Sequence, residues 1–121
     1  MANVSSLLGW IPFFLQGADV RYDRHHRWAN RLLGLTPMKR PPSEYIREYF
    51  YWGFQFDRVG VELRHKINVD RLMWGSDFPH QESDWPESLR IIDKNFAGVP
   101  EEEKHKMACG NAVEFFHLHA S

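Results

Sequence analysis

Residues 71–80 read RLMWGSDFPH, a short apolar run that passes into a loop containing an aspartate. The apolar part ends at Gly75 and has the length of a short buried strand. Asp77 follows this run, and His80 stands three positions later. In parallel α/β folds, ligands lie among the loops that follow the carboxyl ends of the strands. The stretch therefore predicts a strand that leads into a functional site, with Asp77 as the candidate catalytic carboxylate.

Spacing alone leaves two interpretations of Asp77 open. Aspartate is common in turns because its side chain hydrogen-bonds to nearby backbone, so Asp77 could simply stabilise the turn before Pro79. A carboxylate held at a strand end and partly removed from water can also bind a cation or move a proton. His80, beside Gln81 and Glu82, could likewise be an ordinary solvated side chain.

Upstream of this loop, the sequence predicts a second strand followed by a helix. Aromatic residues dominate 49–56, and such residues favour a pleated, buried surface. Asp57 then stands at a position typical of a helix N-cap. We expect the helix to end near Asn68, because apolar residues recur at four-residue spacing along it: Val59, Leu63 and Ile67.

Helices are also predicted nearer the two ends. Charged and apolar residues mix over 19–31 as in an amphipathic helix, and prolines mark 35–43 as a loop, after which Ser43 could cap a short helical turn. Downstream, one helix is expected to stop at Gly98, and a last one follows Pro100 with three glutamates in its first turn. Strands separated by helices predict an α/β fold with a parallel sheet.

Bulk composition favours one ordered domain over residues 1–121. Hydrophobic residues make up 43% of the chain and aromatic residues 15%, which is too apolar for a disordered chain. Fifteen basic and sixteen acidic residues leave a net charge of -1, so the charge balance does not point to a nucleic acid or a membrane as partner.

Two further features of the sequence bear on the cellular compartment of the protein. The single cysteine, Cys109, is compatible with a reducing environment, and we expect it to pack as a small hydrophobic side chain. The apolar start of the chain, 1–15, lacks a basic leading segment, and no run approaches the roughly 20 apolar residues of a membrane span. A cytoplasmic location is therefore expected.

Several segments in order resemble one known family. Residues 75–80 (GSDFPH), followed by 85–88 (WPES), resemble the last barrel strand and loop of the amidohydrolase-related family, which includes metal-dependent hydrolases and decarboxylases. Four other segments resemble that family in the same order: 9–15 (GWIPFFL), 42–45 (PSEY), 58–64 (RVGVELR) and 110–112 (GNA). The resemblance covers nearly the whole chain from Gly9 onward.

The resemblance implies the C-terminal part of a (β/α)8 barrel, incomplete and helix-rich, with two or three parallel strands. A complete barrel needs about 250 residues. In this family one divalent metal, commonly zinc, is held by histidines from the first and a middle strand and by the aspartate after the last strand. By position, Asp77 inherits the roles of metal ligand and proton carrier, and Trp74 and His80 are the candidate substrate-binding residues.

The chain departs from the family pattern at the other metal ligands. The family has two histidines separated by one residue near its N-terminus, whereas His25 and His26 are adjacent. Adjacent helix positions point about 100° apart, so this pair is a poor replacement. The remaining histidines that we expect away from strand ends are His65, His105, His117 and His119.

Two functions remain open from the sequence. The chain is either the part of a hydrolase or decarboxylase that carries the catalytic carboxylate, inactive alone and completed by a polypeptide with the missing histidines, or a noncatalytic truncated fragment that only associates. The expected substrate of the first is a small, carboxylated or cyclic organic molecule. Self-association, or docking with a complementary N-terminal half, is expected because a partial barrel leaves sheet edges and inner helix faces open.

Overall fold

The computed structural model describes the backbone of residues 2–3 and all of residues 7–118. The predicted strands over 49–56 and 71–75 are both present, and each predicted helical segment contains helix. The elements in chain order are β1 (Ala2–Asn3), a 3-10 turn (Leu8–Trp10), α1 (Ile11–Leu33), α2 (Pro42–Tyr49), β2 (Tyr51–Phe54), α3 (Arg58–Glu62), α4 (Arg64–Ile67), a second 3-10 turn (Val69–Arg71), β3 (Leu72–Trp74), α5 (Ser88–Asn95), α6 (Glu101–His105), a π turn (Lys106–Gly110) and α7 (Asn111–Phe115).

The strands form one parallel sheet in the order β1-β2-β3. Trp52 pairs with Leu72 and Phe54 with Trp74, and the N–H of Gly75 extends the pairing by donating to the carbonyl of Phe54 at 2.9 Å. Helices α3 and α4 connect β2 to β3, as a parallel crossover requires. The predicted α/β class with parallel strands is confirmed, and the carboxyl ends of β2 and β3 meet at one edge.

The core lies between this sheet and the helices. Its strand residues come from β2 and β3, and the others come from the first 3-10 turn, α1, α3, α4, the π turn and the residue that follows α5. The buried hydrophobic side chains are Leu8, Ile11, Leu15, Trp52, Phe54, Val61, Ile67, Leu72, Met73, Phe96 and Met107.

Cys109 is exposed, so the expectation that it packs in the core is wrong. Met107 takes the inward position in the π turn. Cys109 lies two positions later and therefore points to nearly the opposite side of the helix.

The helix predicted after Asp57 is interrupted. Leu63 ends α3 with φ -90° and ψ 4°, and α4 begins at the next residue. The expected four-residue stripe does not hold either. Val59 is 59% exposed, whereas Val61 of the same short helix is buried, as is Ile67 of α4. Burial in this region therefore does not follow the one regular period that the sequence predicted.

Asp57 is the predicted N-cap, and it also ties together three parts of the fold. Its Oδ1 accepts the N–H of Gly60 at 2.8 Å, and its Oδ2 accepts the N–H of Leu8. Its own N–H donates to Asn95 Oδ1 at 3.0 Å, and Asn95 Nδ2 donates to the carbonyl of Gln55 at 2.9 Å. The residues that follow β2 are thus fixed to α3, α5 and the 3-10 turn before α1.

Helices α1 and α2 pack against each other through a polar contact. α1 covers the predicted 19–31 and extends beyond it, ending at Gly34 in the left-handed conformation (φ +66°) that favours glycine at a helix end. α2 begins at Pro42, so Ser43 lies inside its first turn and the predicted Ser43 cap is wrong. The Ser43 hydroxyl is instead buried and donates to Asp19 of α1.

The last helical segment follows Pro100 as predicted, but it contains the π turn between α6 and α7. Asn111 begins α7 and is buried. Its Nδ2 donates to the carbonyls of Val69 at 2.7 Å and Leu72 at 2.8 Å, which fixes the start of β3 against this helix.

α1 is the longest helix with 23 residues, yet neither it nor any other helix in the described part of the chain has an apolar stretch able to cross a bilayer.

Candidate functional site

Asp77 lies in the loop after β3, three residues beyond Trp74. Its backbone adopts φ +56°, the left-handed region that non-glycine residues seldom occupy, although aspartate does so more readily than most. Its side chain is 34% exposed. Backbone conformations of this kind cost about 1–3 kcal/mol and cluster at functional sites. The carboxylate is therefore held at the sheet edge where the carboxyl ends of the strands meet.

His80 lies beside Asp77 in the same tight turn. The His80 N–H donates to the carbonyl of Asp77 at 2.8 Å, and His80 Nδ1 is 3.5 Å from Asp77 Oδ2. The histidine side chain is 56% exposed. The structure thus brings together these two predicted site residues as a carboxylate–imidazole pair facing solvent. His80 Nδ1 also accepts the N–H of Glu82 at 3.3 Å, which leaves Nε2 as the ring nitrogen that can exchange a proton with a bound molecule.

Trp74, the third predicted site residue, belongs mainly to the core. It is partly buried, pairs with Phe54 in the sheet and packs against the hydrophobic cluster. Its indole Nε1 is buried and has no hydrogen-bond partner among residues 7–118. A buried donor without a partner is unusual in a folded protein. The role of Trp74 in substrate binding stays a prediction.

Asp84 is a feature of this loop that sequence reasoning missed. Its N–H donates to the carbonyl of Ser76 at 3.0 Å, which places Asp84 opposite the start of the loop. Its Oδ2 is buried without a hydrogen-bond partner in the described part of the chain, and burial raises the pKa of this carboxyl above its ordinary value of 3.8. The residues around it, Glu82, Ser83 and Trp85, do not signal this burial by their type.

An apolar cleft lies where the residues after β2 meet the start of the chain. It is lined by Leu7, Trp10, Phe56 and Val59, and all four side chains are partly open to solvent. The two phenylalanines at the end of β2 and just after it could either line a pocket or fill the core. Phe54 is buried and Phe56 is 47% exposed, so the structure divides the pair between the two roles.

The other histidines lie on helices or after them. His25 and His26 are on α1, where His25 Nδ1 accepts the indole N–H of Trp28 at 2.9 Å. His65 on α4 lies 3.1 Å from a carboxylate oxygen of Glu103. His105 is the last residue of α6 and His117 follows α7, whereas His119 lies outside the described residues.

The described residues do not fit a complete metal centre. Within 7–118, no three histidine, cysteine, aspartate or glutamate side chains come close enough to hold one ion. Structural and catalytic zinc sites use about three or more protein ligands. Asp77 and His80 provide two groups on one exposed turn, so this part of the chain lacks the ligand set that a bound zinc needs.

Comparison with known proteins agrees with the resemblance in the sequence. Residues 17–118 match the amidohydrolase family. The crystal structure of the 5-carboxyvanillate decarboxylase LigW from Sphingomonas paucimobilis is similar, with a TM-score of 0.71 and 25% sequence identity over 91% of this chain and 31% of that one. This chain thus spans less than a third of the decarboxylase, and no curated protein matches it. The family match covers most of the sequence, and the chain therefore belongs to the amidohydrolase family.

Proposed function

We propose that this chain forms the C-terminal part of a (β/α)8 barrel enzyme, a metal-dependent hydrolase or decarboxylase in which Asp77 is the catalytic carboxylate. The observation that carries this proposal is the position of Asp77. It follows a parallel strand at the carboxyl edge of the sheet, in a left-handed backbone conformation, within a chain similar in fold to a decarboxylase. In barrel enzymes this edge is where catalytic residues lie.

An incomplete barrel accounts for the open edge of the sheet. In the described part of the chain, β3 pairs with β2 on one side only. A parallel strand with a free edge exposes unpaired backbone groups, and a closed barrel removes such edges. We propose that further strands of the barrel pair with β3 and are supplied by residues outside this sequence.

The chemistry that this chain contributes is proton handling. Asp77 can orient or accept a proton, and the imidazole of His80 lies 3.5 Å from its carboxylate. The divalent metal of the family, commonly zinc, supplies Lewis-acid chemistry when bound, and Asp77 is the residue that this chain offers to it. Because the described residues do not fit a full metal site, we expect neither stoichiometric metal binding nor turnover by this chain alone.

The proposed substrate is a small organic molecule that is carboxylated or cyclic. The similar structure is a decarboxylase of 5-carboxyvanillate, and we propose the same broad class of compound for this chain. The apolar cleft at Trp10 and Phe56 is open to solvent and suits the flat face of such a molecule. Decarboxylation and hydrolysis both need a group at the site that can hold a proton, and Asp77 serves either reaction.

The proposed partner is a complementary N-terminal half of the barrel. Large apolar side chains are exposed at many positions, including Phe13 (81%), Leu89 (79%) and Leu32 (68%). Contiguous exposed apolar surface marks association sites, and we propose that the partner covers these side chains. The same observation favours the second candidate function, a noncatalytic module that associates with itself or with another protein. The net charge of -1 gives no reason to propose a nucleic acid or a membrane.

The test compares the chain alone with the chain mixed with a polypeptide that supplies the earlier barrel strands and their histidines. We expect metal bound at one ion per complex, and turnover of a carboxylated aromatic substrate, only in the mixture. Asp77→Asn should lower turnover about 10²–10⁴-fold, the usual contribution of a proton-transferring group. Asp93→Asn is the matched control, because Asp93 is an exposed carboxylate on α5.

Turnover that survives Asp77→Asn in the mixture would refute the catalytic role. Association without metal binding or turnover would support the noncatalytic alternative instead.

A further inference from the structure

The loop that carries Asp77 and His80 is closed on itself by backbone hydrogen bonds. The carbonyl of Ser76 accepts the N–H of Asp84 at 3.0 Å, which joins the two arms of the loop. Inside this closure, the His80 N–H donates to the carbonyl of Asp77, and the Ser83 N–H donates to the carbonyl of His80 at 3.0 Å. The closed loop still needs a link to the sheet if Asp77 is to keep one position.

The side chain of Gln55 provides that link. Its Nε2 donates to the carbonyl of Ser76 at 3.3 Å and to the carbonyl of Glu82 at 3.1 Å. These two carbonyls lie on either side of the turn that contains Asp77 and His80. Both amide protons of one glutamine are thus directed at the loop, one to each arm.

Gln55 is itself rigidly held. It directly follows β2, and its carbonyl accepts a hydrogen bond from Nδ2 of Asn95, which is fully buried. Asn95 also accepts the N–H of Asp57 through its Oδ1. The loop is therefore anchored through Gln55 to the end of a core strand and to α5.

We infer that Gln55 is the positioning residue that fixes the Asp77–His80 turn against the sheet. Asp77 is in a backbone conformation that costs energy, and its side chain is one-third exposed, so local packing alone provides little restraint. Two hydrogen bonds from a fixed side chain supply the missing restraint. The contribution to catalysis rests on the proposed function of Asp77, whereas the contribution to loop order does not.

The first test measures hydrogen exchange of the His80 and Asp84 amides by NMR in the full 121-residue chain. Gln55→Met keeps the length of the side chain and removes both N–H donors, and we expect protection of these amides to fall about 10-fold, the effect of losing roughly 1.4 kcal/mol of loop stability. Gln55→Lys restores donors at the same site and should recover part of the protection. Gln16→Met, at an exposed position on α1, is the control.

Unchanged protection in the Gln55→Met variant would overturn the inference. Equal loss of protection in α1 and in the loop would also overturn it, because Gln55 would then act through global stability.

The second test uses the complemented barrel. There, Gln55→Met should lower kcat about 10-fold and leave KM within about twofold, because a misplaced Asp77 affects the reaction more than binding. An unchanged kcat in a variant whose loop has lost protection would remove the catalytic part of the inference. Failure of the proposed function itself is seen separately, as turnover that does not depend on Asp77.

Discussion

The carboxylate of Asp19 accepts two hydrogen bonds from Ser43, a residue 24 positions later in the chain. The Ser43 N–H donates to Oδ1 at 2.9 Å, and the Ser43 hydroxyl donates to Oδ2 at 2.6 Å. The first N–H groups of a helix have no partner within the helix, and a negative charge there is favourable. Asp19 of α1 therefore acts as the cap of α2 from a neighbouring helix, and it fixes how the two helices pack.

Removing either partner of this contact should destabilise the fold. Ser43 is buried, so we expect Asp19→Ala and Ser43→Ala each to lower the free energy of unfolding by about 1–3 kcal/mol. The double variant should lose less than the sum, because both changes remove the same hydrogen bonds. Urea denaturation of the four proteins gives the coupling energy. Asp23→Ala, at an exposed position on α1, is the control, and strictly additive losses would contradict the cap.

Two glycines in helices should respond to alanine in opposite directions. A Cβ on Gly60 would press on the Asp57 carboxylate and lie 2.6 Å from Leu8 Cβ, whereas a Cβ on Gly17 would meet nothing within 4 Å. Gly60→Ala should therefore cost about 1–3 kcal/mol through overpacking. Gly17→Ala should add about 0.5–1 kcal/mol of stability, because alanine is the better helix former.

The midpoint of thermal unfolding of each variant, compared with that of the unchanged chain, shows whether the substitution stabilises or destabilises the fold. A Gly60→Ala variant as stable as the parent would mean that the Asp57 network can move aside.

The stability of the fold should depend on pH through Asp84. Burial raises the pKa of this carboxyl in the folded chain above its ordinary 3.8, so folding favours the protonated form. Its contribution is fully present below pH 3.8 and is lost as the pH rises through the raised value. Asp84→Asn, which cannot ionise, should therefore be more stable than the parent at pH 7.

Denaturation at a series of pH values from 7 down to 4 tests this prediction. The advantage of Asp84→Asn should shrink as the pH falls, because the parent becomes protonated. Asp23→Asn, at an exposed carboxylate of α1, is the control and should show no such trend, and a constant advantage of Asp84→Asn across the series would exclude the linkage.

The sequence was most informative where the pattern is local. The aromatic run over 49–56 and the apolar run over 71–75 predicted β2 and β3, since residue type and run length indicate a buried strand. The ordered motifs identified the amidohydrolase family, which the match to residues 17–118 confirmed. The same motifs pointed to Asp77 in the loop after the last strand, and the structure places it there.

Local patterns predicted the wrong buried residues where a helix is interrupted or contains a π turn. The four-residue stripe after Asp57 assumed one regular helix, but the helix is broken at Leu63, and α3 buries Val61 while Val59 is exposed. Cys109 was expected inside on residue type alone, but the π turn places Met107 there instead. Helical periodicity predicts burial only as long as the helix stays regular.

By itself, then, the amino-acid sequence determined the family, the two core strands and the identity of the candidate carboxylate, because these depend on residue types within a few positions of one another. Only the tertiary structure decided how that carboxylate is held. Gln55 reaches a carbonyl 27 positions away, and Asp19 of α1 accepts hydrogen bonds from Ser43 of α2. Such contacts join residues far apart in the chain, and their partners become neighbours only when the strands and helices pack.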